Sequence, residues 1–270
     1  MTTLLLVGCG SMGFAMLKGW REGDPALRLL VVEPAEALRQ RAVALGIEAV
    51  AEAGDLPRDS RPDLVVLAVK PQVILDVLPA YRGMAENGAT MLSVAAGTTI
   101  AALAAGLPEG APIIRCMPNT PASIGAGMMV CHANAAVPPA AQALVERLLA
   151  MSGAVAFIDD EADMDAVTAV SGSGPAYVFH FIECLAAAGE KAGLAPDLAA
   201  RLALQTVMGA GQLAAASKDA PSELRRQVTS PGGTTAAALA VLMGGDGLAK
   251  LVEAAVDAAK ARSIALRAPQ

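Results

Sequence analysis

Thr3-Leu4-Leu5-Leu6-Val7-Gly8-Cys9-Gly10-Ser11-Met12-Gly13 opens the chain with an apolar run, a glycine turn and the start of a helical segment. Thr3 to Val7 read as a buried strand, and Ser11 to Arg21 continue as a helix. In this G-x-G-x-x-G spacing Gly8 allows the tight turn, Gly10 lets a pyrophosphate approach the backbone, and Gly13 permits close helix packing. The positive end of the helix dipole favours the anion's charge. The glycine spacing by itself is a weak signal. Here it follows an apolar strand, opens a helix and meets an acidic residue at the end of the next strand, and that context points to dinucleotide binding.

The acidic residue is Glu33, 20 positions beyond Gly13. There it is expected to accept hydrogen bonds from the adenosine ribose; its repulsion of a 2′-phosphate leans the reading toward NADH over NADPH. The plainer alternative is a carboxylate that ends its strand in solvent.

Outward from this motif the pattern alternates between strand and helix. Leu27 to Val32, Ile47 to Ala51 and Leu64 to Val69 read as strands, separated by a helix over Ala35 to Leu45. A helix is predicted over Val73 to Ala85, then strands at Thr90 to Val94, Ile113 to Cys116 and Met128 to Cys131. A helix at Pro138 to Ala150 and an edge strand at Ala154 to Ile158 complete a twisted, mostly parallel sheet. After Asp159-Asp160-Glu161 no strand pattern remains, only Ala- and Leu-rich helical segments near 164–170, 175–192, 197–217, 221–228, 234–243 and 246–267. The expected architecture is an α/β Rossmann-like N-terminal domain, 1–158, followed by an all-α C-terminal domain, 159–270. Phe181 to Ala188 and Leu202 to Ala216 are apolar over more than one face, so a homodimer is expected to bury what a small helical domain cannot.

Composition narrows the function. Hydrophobic residues make up 54% of the 270, yet polar residues, Gly and Pro interrupt each apolar stretch. None reaches the roughly 20 residues that span a membrane. No targeting signal is visible, and Cys9, Cys116, Cys131 and Cys184 lack metal-binding or disulfide spacing, which suits a reducing cytoplasm. A net charge of −6 without a basic cluster argues against nucleic acid. His132 and His180 are too few for a His-rich metal site, so no metal is expected.

Further motifs follow strands or precede helices. Ala68-Val69-Lys70-Pro71 ends the fourth strand where ligands of such sheets collect, and Lys70 there reads either as a contact to cofactor phosphate or ribose or as an ordinary exposed cation. Ala95-Ala96-Gly97 and Met117-Pro118-Asn119-Thr120-Pro121 offer flat, close-approach walls for a nicotinamide ring, or plain turns. More than 200 residues after the first glycine motif, Ser230-Pro231-Gly232-Gly233-Thr234-Thr235 puts a turn, two glycine amides and two hydroxyls before a helix. That arrangement reads as a cradle for a small anion, with a helix stop and Thr cap as the alternative.

VGCGSMG, AVKPQ, RCMPNTP, AVSGSGPAYVF and VTSPGGTT, in this order and spacing, closely resemble the pyrroline-5-carboxylate reductases over nearly the whole chain. The resemblance implies a Rossmann domain, a helical dimerisation domain, and reduction of pyrroline-5-carboxylate to L-proline, the last step of proline biosynthesis. It also implies NADPH or NADH as cofactor and assemblies of dimers, often decamers. Carried onto this chain, the cofactor contacts are Val7, Gly8, Cys9, Gly10, Ser11, Met12, Ala68, Val69, Lys70, Pro71, Ala95, Ala96 and Gly97, with Asn119 near the nicotinamide. The substrate contacts are Ser230, Gly232, Gly233, Thr234 and Thr235, with Gln227 upstream, and Ser171 to Tyr177 resemble the helix entry near the active site. Arg226 departs from relatives that often carry an acidic residue there, and Glu33 departs from the many that favour NADPH.

The chemistry has its own logic. A protonated cyclic imine already accepts hydride, so positioning does most of the work. Thr235 is the candidate catalytic residue: its hydroxyl is suited to hydrogen-bond the ring nitrogen while loop amides fix the carboxylate. A β-hydroxyacid dehydrogenase would need a Lys followed four residues on by Asn in the helical domain. No Asn occurs after Asn134, and the first Lys beyond Asp159 is Lys191. A non-catalytic dinucleotide sensor is the other alternative, and it has no use for a second small-molecule cradle.

Overall fold

The computed structural model describes residues 1–267. Residues 268–270, the tail of the expected second domain, lie outside the described residues. The first part alternates strand and helix: β1 Thr3–Val7, α1 Ser11–Gly23, β2 Arg28–Val32, α2 Glu36–Ala44, β3 Glu48–Val50, β4 Leu64–Leu67 and α3 Pro71–Val77. It continues through α4 Arg82–Glu86, β5 Thr90–Ser93, α5 Ile100–Ala105, β6 Ile113–Met117, β7 Gly127–Ala133, α6 Pro139–Ala150 and β8 Gly153–Phe157. Helices follow: α7 Met164–Val167, α8 Gly174–Lys191, α9 Pro196–Ala216, α10 Pro221–Gln227, α11 Thr234–Leu242 and α12 Leu248–Arg267.

The eight strands form one sheet in the order β3-β2-β1-β4-β5-β6-β7-β8. Every pair is parallel except β6 with β7. From β1 the chain winds outward to β2 and β3, then crosses back to place β4 on the other side of β1. That reversal opens a crevice at the carboxyl ends of β1 and β4, where the loops after them diverge. All five residues of β1 are buried, as a central strand covered on both faces requires. Leu4 and Leu6 join Trp20, Leu17 and Leu148 on one face, while Leu5 and Val7 join Ile74, Leu78 and Leu103 on the other. Trp20 donates its indole N–H to the Leu148 carbonyl at 3.1 Å, so its ring is buried without an orphaned donor. Removing such a ring typically costs about 3–5 kcal/mol.

The predicted helix over Val73 to Ala85 is not continuous. It divides into α3, a 3₁₀ turn over Leu78–Tyr81, and α4. Pro79 sits in the break, where its missing N–H and bulky ring cannot continue an α-helix. The segment expected as a helix near 164–170 is the short α7 followed by a π-helical stretch over Thr168–Gly172.

The chain forms two compact units, Met1–Gly172 with Lys260 onward, and Ser173–Ala259. In the first, Asp165 of α7 is buried and accepts hydrogen bonds from the Ser263 hydroxyl at 2.8 Å and from Nε of Arg267 at 2.9 Å. Nη2 of Arg267 completes the pair, which fastens the last turns of α12 to α7. In the second, α8 packs on α9, with Ala199 close against Gly189.

Candidate active site

The glycine turn at the end of β1 meets three different constraints. Gly8 has φ +91°, and a Cβ there would lie 2.8 Å from the Ala68 carbonyl oxygen, so both conformation and space demand glycine. A Cβ on Gly13 would lie 2.3 Å from the Gly8 oxygen, which lets α1 start hard against the turn. Around Gly10 nothing lies within 4 Å of that position. The open side of Gly10 lies at the start of α1, whose first turn has no side-chain cap and no acidic residue. The free N–H groups of Ser11, Met12 and Gly13 in that turn suit a pyrophosphate. Beside it a cavity of about 320 Å³ is lined by Val7, Gly8, Val32, Pro34, Val69 and Tyr81, among others, an apolar slot suited to an adenosine. The residues therefore fit a dinucleotide.

Glu33 is turned away from that slot. The residue is 6% exposed, and its carboxylate accepts the Cys9 N–H at 2.7 Å through Oε2 and the Ala35 N–H at 2.9 Å through Oε1. Arg39 caps the same loop, donating from Nη1 to the carbonyls of Glu33 at 2.8 Å and Pro34 at 3.0 Å. Burial, then the negative charge on Glu33, push the Cys9 thiol up, partly opposed by Arg41. Cys9 is thus a protonated core side chain whose backbone N–H faces Glu33.

At the end of β4, Ala68 and Val69 are half-buried, and Lys70 is exposed and forms no ion pair among the described residues. Pro71 occupies the first turn of α3, where its missing N–H is no loss. After β5, the buried Ser93 hydroxyl oxygen accepts the Ala95 N–H at 3.3 Å, Ala96 is exposed, and Gly97 turns the chain at φ +78°. The sheet order thus brings the Gly8–Gly13, Ala68–Pro71 and Ala95–Gly97 segments to one edge. Asn119 accepts the Met128 N–H at 2.9 Å, and its Nδ2 donates to the Ser171 carbonyl at 3.2 Å and hydroxyl at 3.3 Å. Its amide is a strut between the end of β6, the start of β7 and the segment leading into α8.

The Ser230–Thr235 segment belongs to the other unit and joins α10 to α11. The Gly233 N–H donates to the Ser230 carbonyl at 3.1 Å, closing a tight turn with Gly232 at φ +70°. Only one of the two glycine amides anticipated for an anion is therefore free; the other holds the turn. No side chain caps α11, so the N–H groups of Thr234, Thr235 and Ala236 add to the cradle. Ser230, Gly232 and Thr234 are exposed, and the Thr235 hydroxyl makes no hydrogen bond among the described residues. Gln227 is engaged with its own helix end, donating to Asp219 at 2.9 Å and Glu223 at 3.3 Å. Arg226 forms a two-pronged pair with Glu223, and that hydrogen bonding, with Gln227 second, holds the Glu223 carboxyl below its ordinary range.

Residues 161–266 match the model of the pyrroline-5-carboxylate reductase dimerisation family, and residues 3–97 match that described as NADP oxidoreductase coenzyme F420-dependent. A curated pyrroline-5-carboxylate reductase of Pseudomonas aeruginosa is 42% identical over 265 residues, 97% of this chain and 96% of that one. The chain belongs to the pyrroline-5-carboxylate reductase family. Among solved structures, the family's Coxiella burnetii enzyme superposes with a TM-score of 0.93 at 32% identity, covering 99% of both chains. The Plasmodium falciparum pyrroline carboxylate reductase, crystallised with NADP bound, gives 0.82 at 30% identity, covering 99% of this chain and 98% of that one.

Two residues beside the loop that carries Ala95–Gly97 escaped the sequence reading. Arg115 of β6, 2% exposed, donates to Glu161 at 2.9 Å, and the same oxygen of Glu161 accepts the Ile100 N–H at 2.9 Å. Glu161 stands in an acidic triplet that reads as a solvated boundary, and its partner lies 46 residues away, so no local pattern marks it. Among the described residues of this family member, no group of three or more His, Cys, Asp or Glu is placed to hold a metal ion, and no helix is long and apolar enough to cross a membrane.

Proposed function

We propose that this chain reduces 1-pyrroline-5-carboxylate to L-proline with NADPH or NADH, the last step of proline biosynthesis. The observation that carries this reading is the exposed, uncapped Ser230–Thr235 turn in a chain that matches the Pseudomonas aeruginosa reductase over 97% of its length. When bound, a nicotinamide would supply the hydride that the carbon of the protonated imine accepts, and the ring nitrogen would keep its proton. Everything else falls to positioning. Gly232 and the first amides of α11 hold the carboxylate, with the Ser230 and Thr234 hydroxyls beside it. Thr235 hydrogen-bonds the ring nitrogen and orients the imine carbon.

The Gly8–Gly13 turn, Ala68–Pro71 and Ala95–Gly97 hold the cofactor, and Asn119 supports the nicotinamide side. Functionally, residues 1–158 bind the dinucleotide and 159–270 bind substrate and dimerise. The preference for NADH expected from Glu33 required a carboxylate facing the ribose. With that carboxylate turned inward, both cofactors are proposed, in line with the NADP held by the Plasmodium falciparum relative. A coupled test mixes the protein with NADH or NADPH and 1-pyrroline-5-carboxylate and follows nucleotide absorbance. Oxidation that requires the imine supports the reading; nucleotide binding without turnover would favour a sensor and overturn it.

The helical unit is proposed to form a homodimer, assembled further toward a decamer, in the cytoplasm. Between Ser173 and Ala259 only Ala199 and Ala203 are buried, while Phe179 is 58% and Val241 75% exposed. A unit with so little core of its own needs apolar cover, and the dimerisation model over 161–266 supports a second copy as that cover. Sedimentation at micromolar concentration is expected to give a dimer or larger, and a monomer would remove this reading.

A further inference from the structure

Resting on the dinucleotide reading above, we infer that Glu33 is a positioning residue that locks the phosphate turn to the ribose loop, and not the group that reads the ribose. One buried side chain accepts N–H groups from two different loops. Cys9 lies within the glycine turn and Ala35 opens the way into α2, and the carboxylate holds them at 2.7 and 2.9 Å. The backbone of Glu33 is tied as well, its N–H donating to the Val50 carbonyl at 3.0 Å and its carbonyl accepting Arg39 at 2.8 Å. Strand β3, the β1–α1 turn and the β2–α2 loop therefore converge on this residue.

A carboxylate accepts hydrogen bonds only, and a charged acceptor makes strong ones to backbone N–H groups. With both oxygens occupied by N–H donors, its negative charge is satisfied from inside the protein. A ribose reader, by contrast, needs an oxygen open to the 2′-hydroxyl and a charge felt by a 2′-phosphate. The two roles predict different outcomes on substitution. Gln keeps the shape but brings an NH₂ group against one of two donors, so one tie is lost. Asp keeps the charge but is one carbon shorter and cannot span both loops.

The test is fluorescence titration of NADH and NADPH binding to the full-length protein and to Glu33→Gln and Glu33→Asp. Positioning predicts that both variants weaken NADH and NADPH together by roughly ten-fold, with the ratio of the two affinities kept within about two-fold. It also predicts a raised nucleotide KM with kcat nearly unchanged at saturation, which separates lost positioning from general damage to the enzyme. Ribose reading predicts that Asp behaves like the parent while Gln shifts the affinity ratio toward NADPH by about ten-fold, and that result overturns the inference. Should Glu33→Gln fail to fold, Ala35→Pro takes its place: φ −74° at Ala35 suits proline, and its ring carbon, standing where the N–H was, pushes Oε1 of Glu33 away and breaks that tie. The same joint weakening is expected, and unchanged affinity for both nucleotides would overturn the inference. Failure of the parent protein to bind either nucleotide would instead refute the dinucleotide reading itself.

Discussion

Nη1 of Arg115, buried within the sheet, lies 2.9 Å from Oε1 of Glu161, and that one oxygen also accepts the first N–H of α5, from Ile100. The pair therefore fixes β6 to the loop that follows Ala95–Gly97. Glu161→Ala leaves a buried guanidinium without its counter-charge, and the expected loss is about 3 kcal/mol. Urea unfolding at one fixed protein concentration should show a lowered midpoint with an unchanged slope. A midpoint equal to the parent's would mean that the pair contributes nothing to stability.

Gly8 and Gly10 should respond differently to the same added methyl group. Gly10→Ala meets nothing within 4 Å, so thermal stability is kept while the methyl enters the space proposed for the pyrophosphate. Nucleotide affinity is expected to fall by at least about ten-fold. Gly8→Ala combines φ +91° with a 2.8 Å approach to the Ala68 carbonyl oxygen and should also cost on the order of 1–3 kcal/mol of stability. Calorimetric titration alongside thermal melts separates the two, and equal melting losses would contradict the open space at Gly10.

Thr235→Ala removes a hydroxyl that has no partner among the described residues, so the fold should be untouched. Catalytic efficiency is expected to drop roughly ten-fold or more, equivalent to about 1–2 kcal/mol of transition-state stabilisation, with Thr235→Ser restoring much of it. A steady-state rate equal to the parent's would exclude Thr235 from the mechanism.

Tyr81, on the 3₁₀ turn between α3 and α4, has its phenol pushed up to about 12 by burial, from an ordinary value of 10.0. The folded state holds this proton more tightly than the unfolded chain. Its contribution is therefore complete below pH 10 and is lost as pH rises toward about 12. Tyr81→Phe, which cannot ionise, should lose less stability across that window, by on the order of 2 kcal/mol at its upper end. Urea midpoints for both proteins at neutral and alkaline pH provide the check; parallel profiles would refute the assignment.

The α/β core was readable because its signals are local. Continuous apolar runs, glycines at fixed spacing and a proline at the first turn of α3 each act within a few residues. The predicted continuous helix across Pro79 failed for an equally local reason, the missing N–H, which the surrounding apolar pattern masked. The candidate site divides in the same way. Gly8, Gly10, Gly13 and the Ser230–Thr235 turn declare themselves by residue type, whereas the inward turn of Glu33 and the strut role of Asn119 do not.

What the amino-acid order determined alone was the alternation of strands and helices, the glycine turn and the family motifs, because short-range sterics and hydrogen bonding decide them. Only the folded chain decided that Glu33 faces Cys9 and Ala35, that Asn119 reaches Ser171, and that Arg115 meets Glu161. A buried polar group must find a partner wherever the sheet order brings one, and that order joins residues 24, 52 and 46 positions apart.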